Sequence, residues 1–183
     1  MPNSNRTLSA FIQGGNPDTM NIQITGVVGS NVPYAPGDVG ASFDYNNKTY
    51  SVVIMDSGAT SANPVGAPTS GQIAFWKSIS PATVTNDFRQ SINPASPQSA
   101  VAGIIRVTPG TLGAGGNLIC ILNRGYAINV NAGTCAAGQV MADSTASTSR
   151  AVTTTGILKS IGTARSADAA GVVIVDVDIA TLP

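Results

Sequence analysis

Histidine and glutamate are both missing from this 183-residue chain, and only 10% of its residues are charged. Without histidine there is no Ser-His or Cys-His nucleophile pair, no imidazole acid or base and no His-containing zinc or iron site. Without glutamate, carboxylate chemistry falls to nine scattered aspartates, which balance nine Lys and Arg to a formal charge of zero. A neutral chain lacks the long-range positive field that gathers phosphate, so nucleic acid and anionic membranes are not expected partners. No run approaches the roughly 18 to 20 apolar residues that span a bilayer. The polar start Met1-Pro2-Asn3-Ser4-Asn5-Arg6 lacks the apolar stretch of a signal peptide, which leads us to expect synthesis and folding in a cytoplasm. There are two cysteines, Cys120 and Cys135, whose spacing fits no metal pattern. They are expected to be buried and reduced, with a late-forming disulfide as the alternative. No cofactor or metal is expected.

What remains is 43% hydrophobic, in a background of Ser, Thr, Asn, Gly and Pro. Its periodicity is that of strands. Thr49–Met55, Val101–Val107 and Gly171–Ile179 are short and β-branched, with turn-forming residues nearby. In the last, Val173, Val175, Val177 and Ile179 share one face. Val172 and Ile174 give way to Asp176 and Asp178 on the other, which predicts a strand buried on both faces at its start and solvated at its end. Phe43-Asp44-Tyr45, a turn at Asn46-Asn47 and Lys48-Thr49-Tyr50 predict a two-residue hairpin. Leu118–Leu122, a turn at Asn123-Arg124-Gly125 and Tyr126–Val130 predict a second. Gly37, Gly71 and Gly138 each stand before a polar and then a β-branched residue, as in a turn with φ > 0 leading into a strand. No segment has a long amphipathic helical pattern. The fold class is therefore mainly β, a short-stranded barrel or sandwich with an extended N-terminal segment. Residues 1–20 form an arm or first strand, and residues 21–183 form the body, which the loop-like stretch near 57–70 divides into two possible sub-modules.

Few motifs carry chemistry. Val52-Val53-Ile54-Met55-Asp56-Ser57-Gly58-Ala59-Thr60 resembles the signature of retroviral-type aspartic proteases, in which two chains pair their catalytic Asp carboxylates to share a proton. That makes Asp56 in a homodimer the enzyme reading. The reading against it is a strand ending in a turn, where Asp, Ser and Gly serve the backbone. Asp176 and Asp178, about 7 Å apart on one strand face, read as a solvated edge and not as a calcium site. The glycines of 109–116 lack the Lys-Ser/Thr of a phosphate loop. Trp76 follows Phe75 in an alternating strand, so one of the two is expected to face outward, and Trp76 stands open between core and interface.

The order of the C-terminal segments points elsewhere. Ala100-Val-Ala-Gly-Ile-Ile-Arg-Val-Thr-Pro-Gly110 is followed by Leu122-Asn123-Arg124-Gly125-Tyr126-Ala127 and Val130-Asn-Ala-Gly133. Then come the turn Ala136-Ala137-Gly138-Gln139-Val140, Ile161-Gly162-Thr163-Ala164 and Asp168-Ala-Ala-Gly171-Val172-Val173-Ile174-Val175. This series, with Phe75-Trp76-Lys77 and Thr83–Asp87 upstream, resembles the head-decoration (capsid cement) proteins of tailed bacteriophages over roughly residues 71–179. The departures are Thr111-Leu112-Gly113, where Asn-Tyr is common, and Gln139 in place of Asp. The resemblance implies no catalytic residue. It implies a structural protein on the outer surface of the virion capsid, bound to the major capsid protein, reinforcing capsomer junctions, and often trimeric. On that reading Arg6 and Phe11 in the N-terminal segment and Trp76 are the candidate contact residues. A carbohydrate-binding β-module is a third reading; Tyr34, Tyr45, Tyr50 and Trp76 form no visible cluster for it.

Overall fold

The structure, a computed structural model, describes residues 17–18, 21–23, 39–56, 68–93, 100–106, 116–131, 135–138, 140–143, 151–153, 160–167 and 169–179. Its strands are β1 (Asn21–Gln23), β2 (Ser42–Tyr45), β3 (Lys48–Met55), β4 (Ile73–Ile79), β5 (Ala82–Thr85), β6 (Val101–Arg106), β7 (Asn117–Asn131), β8 (Val140–Asp143), β9 (Ala151–Thr153), β10 (Ser160–Ala164) and β11 (Val172–Asp178). Among the described residues there is no α-helix, only a 3-10 turn at Phe88–Gln90. All eleven strands belong to one sheet, in the order β2-β3-β5-β4-β6-β7-β11-β10-β8-β9, with β1 added on β7. Because β7 also pairs with β3, the strands β3-β5-β4-β6-β7 close into a five-stranded barrel. The remaining strands extend from it.

Alternation divides the core in two. Val53 and Met55 of β3, Ala82 and Val84 of β5, Ala74 and Trp76 of β4, Ala102 and Ile105 of β6, and Ile119 and Ile121 of β7 form one buried cluster. Its members come from all five barrel strands, so they fill the barrel interior, where small Ala residues leave room for the indole. Alternate residues on the same strands, Tyr50, Val52, Ile73, Phe75, Leu118, Cys120 and Leu122, face outward. They pack with Ile128, Val130, Ile161, Val173, Val175, Val177 and Ile179 in a second cluster. The C-terminal sheet thus covers the outer face of the barrel. Phe75 and Trp76 are consequently both buried, at 0% and 6% exposure. Neither reaches solvent, because β4 has the barrel interior on one side and the second layer on the other.

The hairpin at Asn46-Asn47 forms as expected, with Tyr45 opposite Lys48 and both asparagines at positive φ (49° and 59°). Gly71 (φ 93°) and Gly138 (φ 83°) precede β4 and β8 as predicted, whereas Gly37 lies outside the described residues. The expected hairpin at Asn123-Arg124-Gly125 does not occur. β7 runs through it for 15 residues, with register shifts against β3 and β11 near this point. Asn123 does not turn the chain because its side chain is used at long range. Its Oδ1 accepts from Ser51 Oγ at 2.7 Å and its Nδ2 donates to the Ala102 carbonyl at 2.8 Å. Ser51 Oγ also meets Ser42 Oγ at 2.8 Å, so a polar chain runs from exposed Ser42 through buried Ser51 to buried Asn123 at one end of the barrel. β7 serves the barrel with its first half and the C-terminal sheet with its second. Both cysteines are buried thiols outside any disulfide; Cys135 Sγ donates to the Ser166 carbonyl at 3.8 Å.

Candidate interaction surface

Along β11 Val173, Val175 and Val177 are buried, Val172, Ile174 and Asp178 are exposed and Asp176 is half-buried, so only one of its faces is covered along its whole length. The expectation that Val172 and Ile174 are buried is not met; each is 37% exposed. Among the described residues no second layer lies over their face. Ile174 pairs with Asn129 and Thr163 with Asp176, which places exposed residues of β7, β10 and β11 side by side. Tyr126, at 71% exposure, is the most exposed large apolar residue of this surface. Its ring lies 5.9 Å below the Arg165 guanidinium. Arg165 in turn bonds Asp176 at 2.7 Å, and Arg124 bonds Asp178 at 3.2 Å. The aspartates thus form the solvated edge that their alternation predicts, Asp178 held by Arg124 of β7 and Asp176 by Arg165 just past the end of β10.

The face therefore presents Tyr126, Val172 and Ile174 among Asn129, Thr163 and two internally neutralised ion pairs. Aromatic and Arg side chains with few uncompensated charges are what the centre of a protein interface favours. Pairs this exposed contribute little to stability. Pairing cancels the charge of these four side chains, which lowers the cost of desolvating them.

Asp56 sits at the end of β3 with its backbone N–H bonded to the Val84 carbonyl at 2.9 Å. Lys77 Nζ donates to its Oδ2 at 2.7 Å. The carboxylate that would meet its twin in a protease dyad is thus paired to a cation on β4 of its own chain. Ser57–Thr60 lie outside the described residues, as do Arg6 and Phe11. Trp76 is a core residue and contributes nothing to the exposed face. Among the described residues no three His, Cys, Asp or Glu side chains are grouped to hold a metal ion, and no helix is long and apolar enough to cross a membrane.

A second polar group escaped the sequence reading altogether. Asp18 receives bonds from Lys48 (2.9 Å), Tyr50 (2.8 Å) and Arg106 (2.9 Å). No motif marks it, because its partners stand 30, 32 and 88 positions away. Burial pushes the Asp18 carboxyl up, but the bonds from Lys48 and Tyr50 and the Arg106 charge outweigh it and hold it below the usual value. Asp87 behaves alike: burial raises it, and the bonds and charge of Arg89 bring it below. A depressed carboxyl contributes stability that is fully present above the unfolded value of 3.8 and is lost as pH falls through the folded value. Urea midpoints are thus expected to be level between pH 7 and pH 5 and to fall below about pH 4. Asp18→Asn should lower the plateau and make the acid limb shallower; an unchanged acid limb would contradict this assignment.

Comparison with known proteins finds no matching family model, no similar curated protein and no similar solved structure.

Proposed function

We propose that this protein is a structural decoration protein of a phage head, bound as a homo-oligomer, with a trimer favoured, to the outside of the assembled capsid at capsomer junctions. The observation that carries the reading is where the resembling segments fall. Val101–Arg106 is β6, Leu122–Ala127 lies in β7, Gly171–Val175 opens β11, Ile161–Ala164 is in β10 and Ala136–Gly138 is the turn before β8. In the sheet these occupy five consecutive places, β6-β7-β11-β10-β8. Segments dispersed over some seventy residues of sequence thereby come side by side in one sheet, which supports the reading.

The exposed face of that same sheet suits such a role. A cement protein acts in many copies, so each contact needs only modest strength. Self-neutralised arginines make binding weakly dependent on salt. The reading assigns no reaction to Asp56, so Asp56→Ala should bind heads like the wild type.

The direct test replaces Tyr126 with Ser and Ile174 with Lys together. Both side chains are exposed, so the melting temperature should stay within about 2 °C of the wild type. Affinity for expanded, undecorated heads should fall at least ~100-fold, since an aromatic anchor is lost and a cation is placed in the contact. Undiminished binding by this double variant would remove the face from the account.

A further inference from the structure

Arg165 is held on the exposed face at both ends of its length. Its backbone N–H bonds the Ile174 carbonyl at 2.7 Å, and the next residue, Ser166, accepts from the Ile174 N–H through Oγ at 3.2 Å. At the far end Nε donates to the Asp176 carboxylate at 2.7 Å, and the guanidinium carbon lies 5.9 Å from the centre of the Tyr126 ring. The side chain thus reaches from just past β10, across β11, to a residue of β7. Among the described residues Asp176 is the only hydrogen-bond acceptor of this guanidinium, and the bond runs through Nε. The Nη hydrogens remain available, on a side chain that is 54% exposed.

We infer, on the strength of the decoration reading, that Arg165 is the specificity-determining donor of this face and Asp176 the residue that positions it. The Nη hydrogens bind uncharged carbonyl oxygens of the coat protein, main-chain or amide, beside an apolar side chain that settles on Tyr126 and Ile174. The charge of Asp176 selects that class of acceptor. It already neutralises the guanidinium, so a second carboxylate at the Nη end would lie close to the first and be repelled by it. A neutral oxygen meets no such opposition. The planar fork, fixed at Nε, keeps its free hydrogens in one plane, which an ammonium on a flexible stem cannot do. Contact with the Tyr126 ring restrains the same group from the other side. A donor ordered before contact costs less to order during it.

Asp176→Asn and Arg165→Lys test this by co-sedimentation of the full chain with expanded, undecorated heads at low and high salt. Asp176→Asn keeps the size of the side chain but leaves an unpaired cation, which an uncharged partner does not compensate. Its affinity should fall about tenfold at both salt concentrations. Were the partner group a carboxylate, the same change would instead tighten binding, most at low salt, and that result would overturn the inference. Arg165→Lys keeps the charge and a donor for Asp176 but loses the fork, and it should also cost about tenfold. Binding equal to the wild type would show that a point charge suffices, against the inference. In the free protein the Arg165 Nε–H should give a resolved NMR signal that Asp176→Asn abolishes, while the melting temperature stays within about 2 °C. A signal unmoved by the substitution would contradict the positioning role. A wild-type chain that binds no heads would overturn the decoration reading and the carbonyl partner with it, whereas wild-type binding with both variants unchanged would overturn the role of Arg165 alone.

Discussion

Gly162→Ala is expected to destabilise the protein by about 3–5 kcal/mol, a loss of roughly 10 °C or more in melting temperature. Gly162 lies in β10 at φ 146°, opposite Val177, at a register shift against β8. A Cβ there would overlap the backbone carbonyl oxygen of Asp176 and press on Val175 Cγ1. Neither can yield cheaply. Asp176 belongs to the adjoining strand, and Val175 is 0% exposed within the outer core. Relief would require β10 to move off β11, and with it the layer that covers the barrel. Gly138→Ala is the control. Its φ of 83° is also left-handed, but a Cβ there meets nothing within 4 Å. Only the backbone penalty of about 1–2 kcal/mol remains. Equal losses in the two variants, read from urea midpoints, would contradict the packing seen around Gly162.

The second large effect is expected at Asn123, which is 0% exposed. Truncation to Ala leaves Ser51 Oγ with Ser42 Oγ alone, deprives the Ala102 carbonyl of this donor, and leaves a void at the barrel end. The cost is about 2–4 kcal/mol, from unsatisfied buried groups plus the lost packing. Asn123→Asp is the sharper probe. It keeps the size and an acceptor for Ser51 but turns the donor facing the Ala102 carbonyl into a buried carboxylate. Such a carboxyl resists ionisation in the fold, so its folded pKa lies above its unfolded one. Stability is then lost as pH rises through the unfolded value. Asn123→Asp should accordingly be more damaging at pH 7 than at pH 4, opposite in sign to the acid sensitivity produced by Asp18. A pH-independent loss would mean that Asn123 is not sealed from solvent.

These two residues also mark how far the sequence could be read. Local rules located what local chemistry decides: the Asn46-Asn47 hairpin, the φ > 0 turns at Gly71 and Gly138, and the inward phase of Val173, Val175, Val177 and Ile179. They failed where distant partners decide. Asn123-Arg124-Gly125 has the composition of a turn, yet Ser51 and Ala102 hold the Asn side chain and keep β7 extended. Trp76 alternates with Phe75, and period two does not reveal that a closed barrel and an outer layer bury both faces of β4. Val172 and Ile174 continue a run of valines that reads as covered on both sides. Their exposure follows only from the absence of a layer over that face of the described sheet. The exposed face was thus half legible. Its two aspartates stood out by alternation, whereas Tyr126 and its cation Arg165 are brought together by the pairing of β11 with both β7 and β10. Asp18 was illegible, because nothing local distinguishes an aspartate whose three donors arrive from other strands.

Low charge with no histidine or glutamate gains a physical sense from this geometry. Among the described residues, four charged side chains lie on the exposed face as two ion pairs, which together carry no net charge. The measurement that tests this account most directly is co-sedimentation with expanded, undecorated heads at increasing protein concentration. The account predicts saturation at a fixed ratio to the coat subunit, little changed between low and high salt. Absence of co-sedimentation, or uptake that never saturates and vanishes with salt, would contradict it.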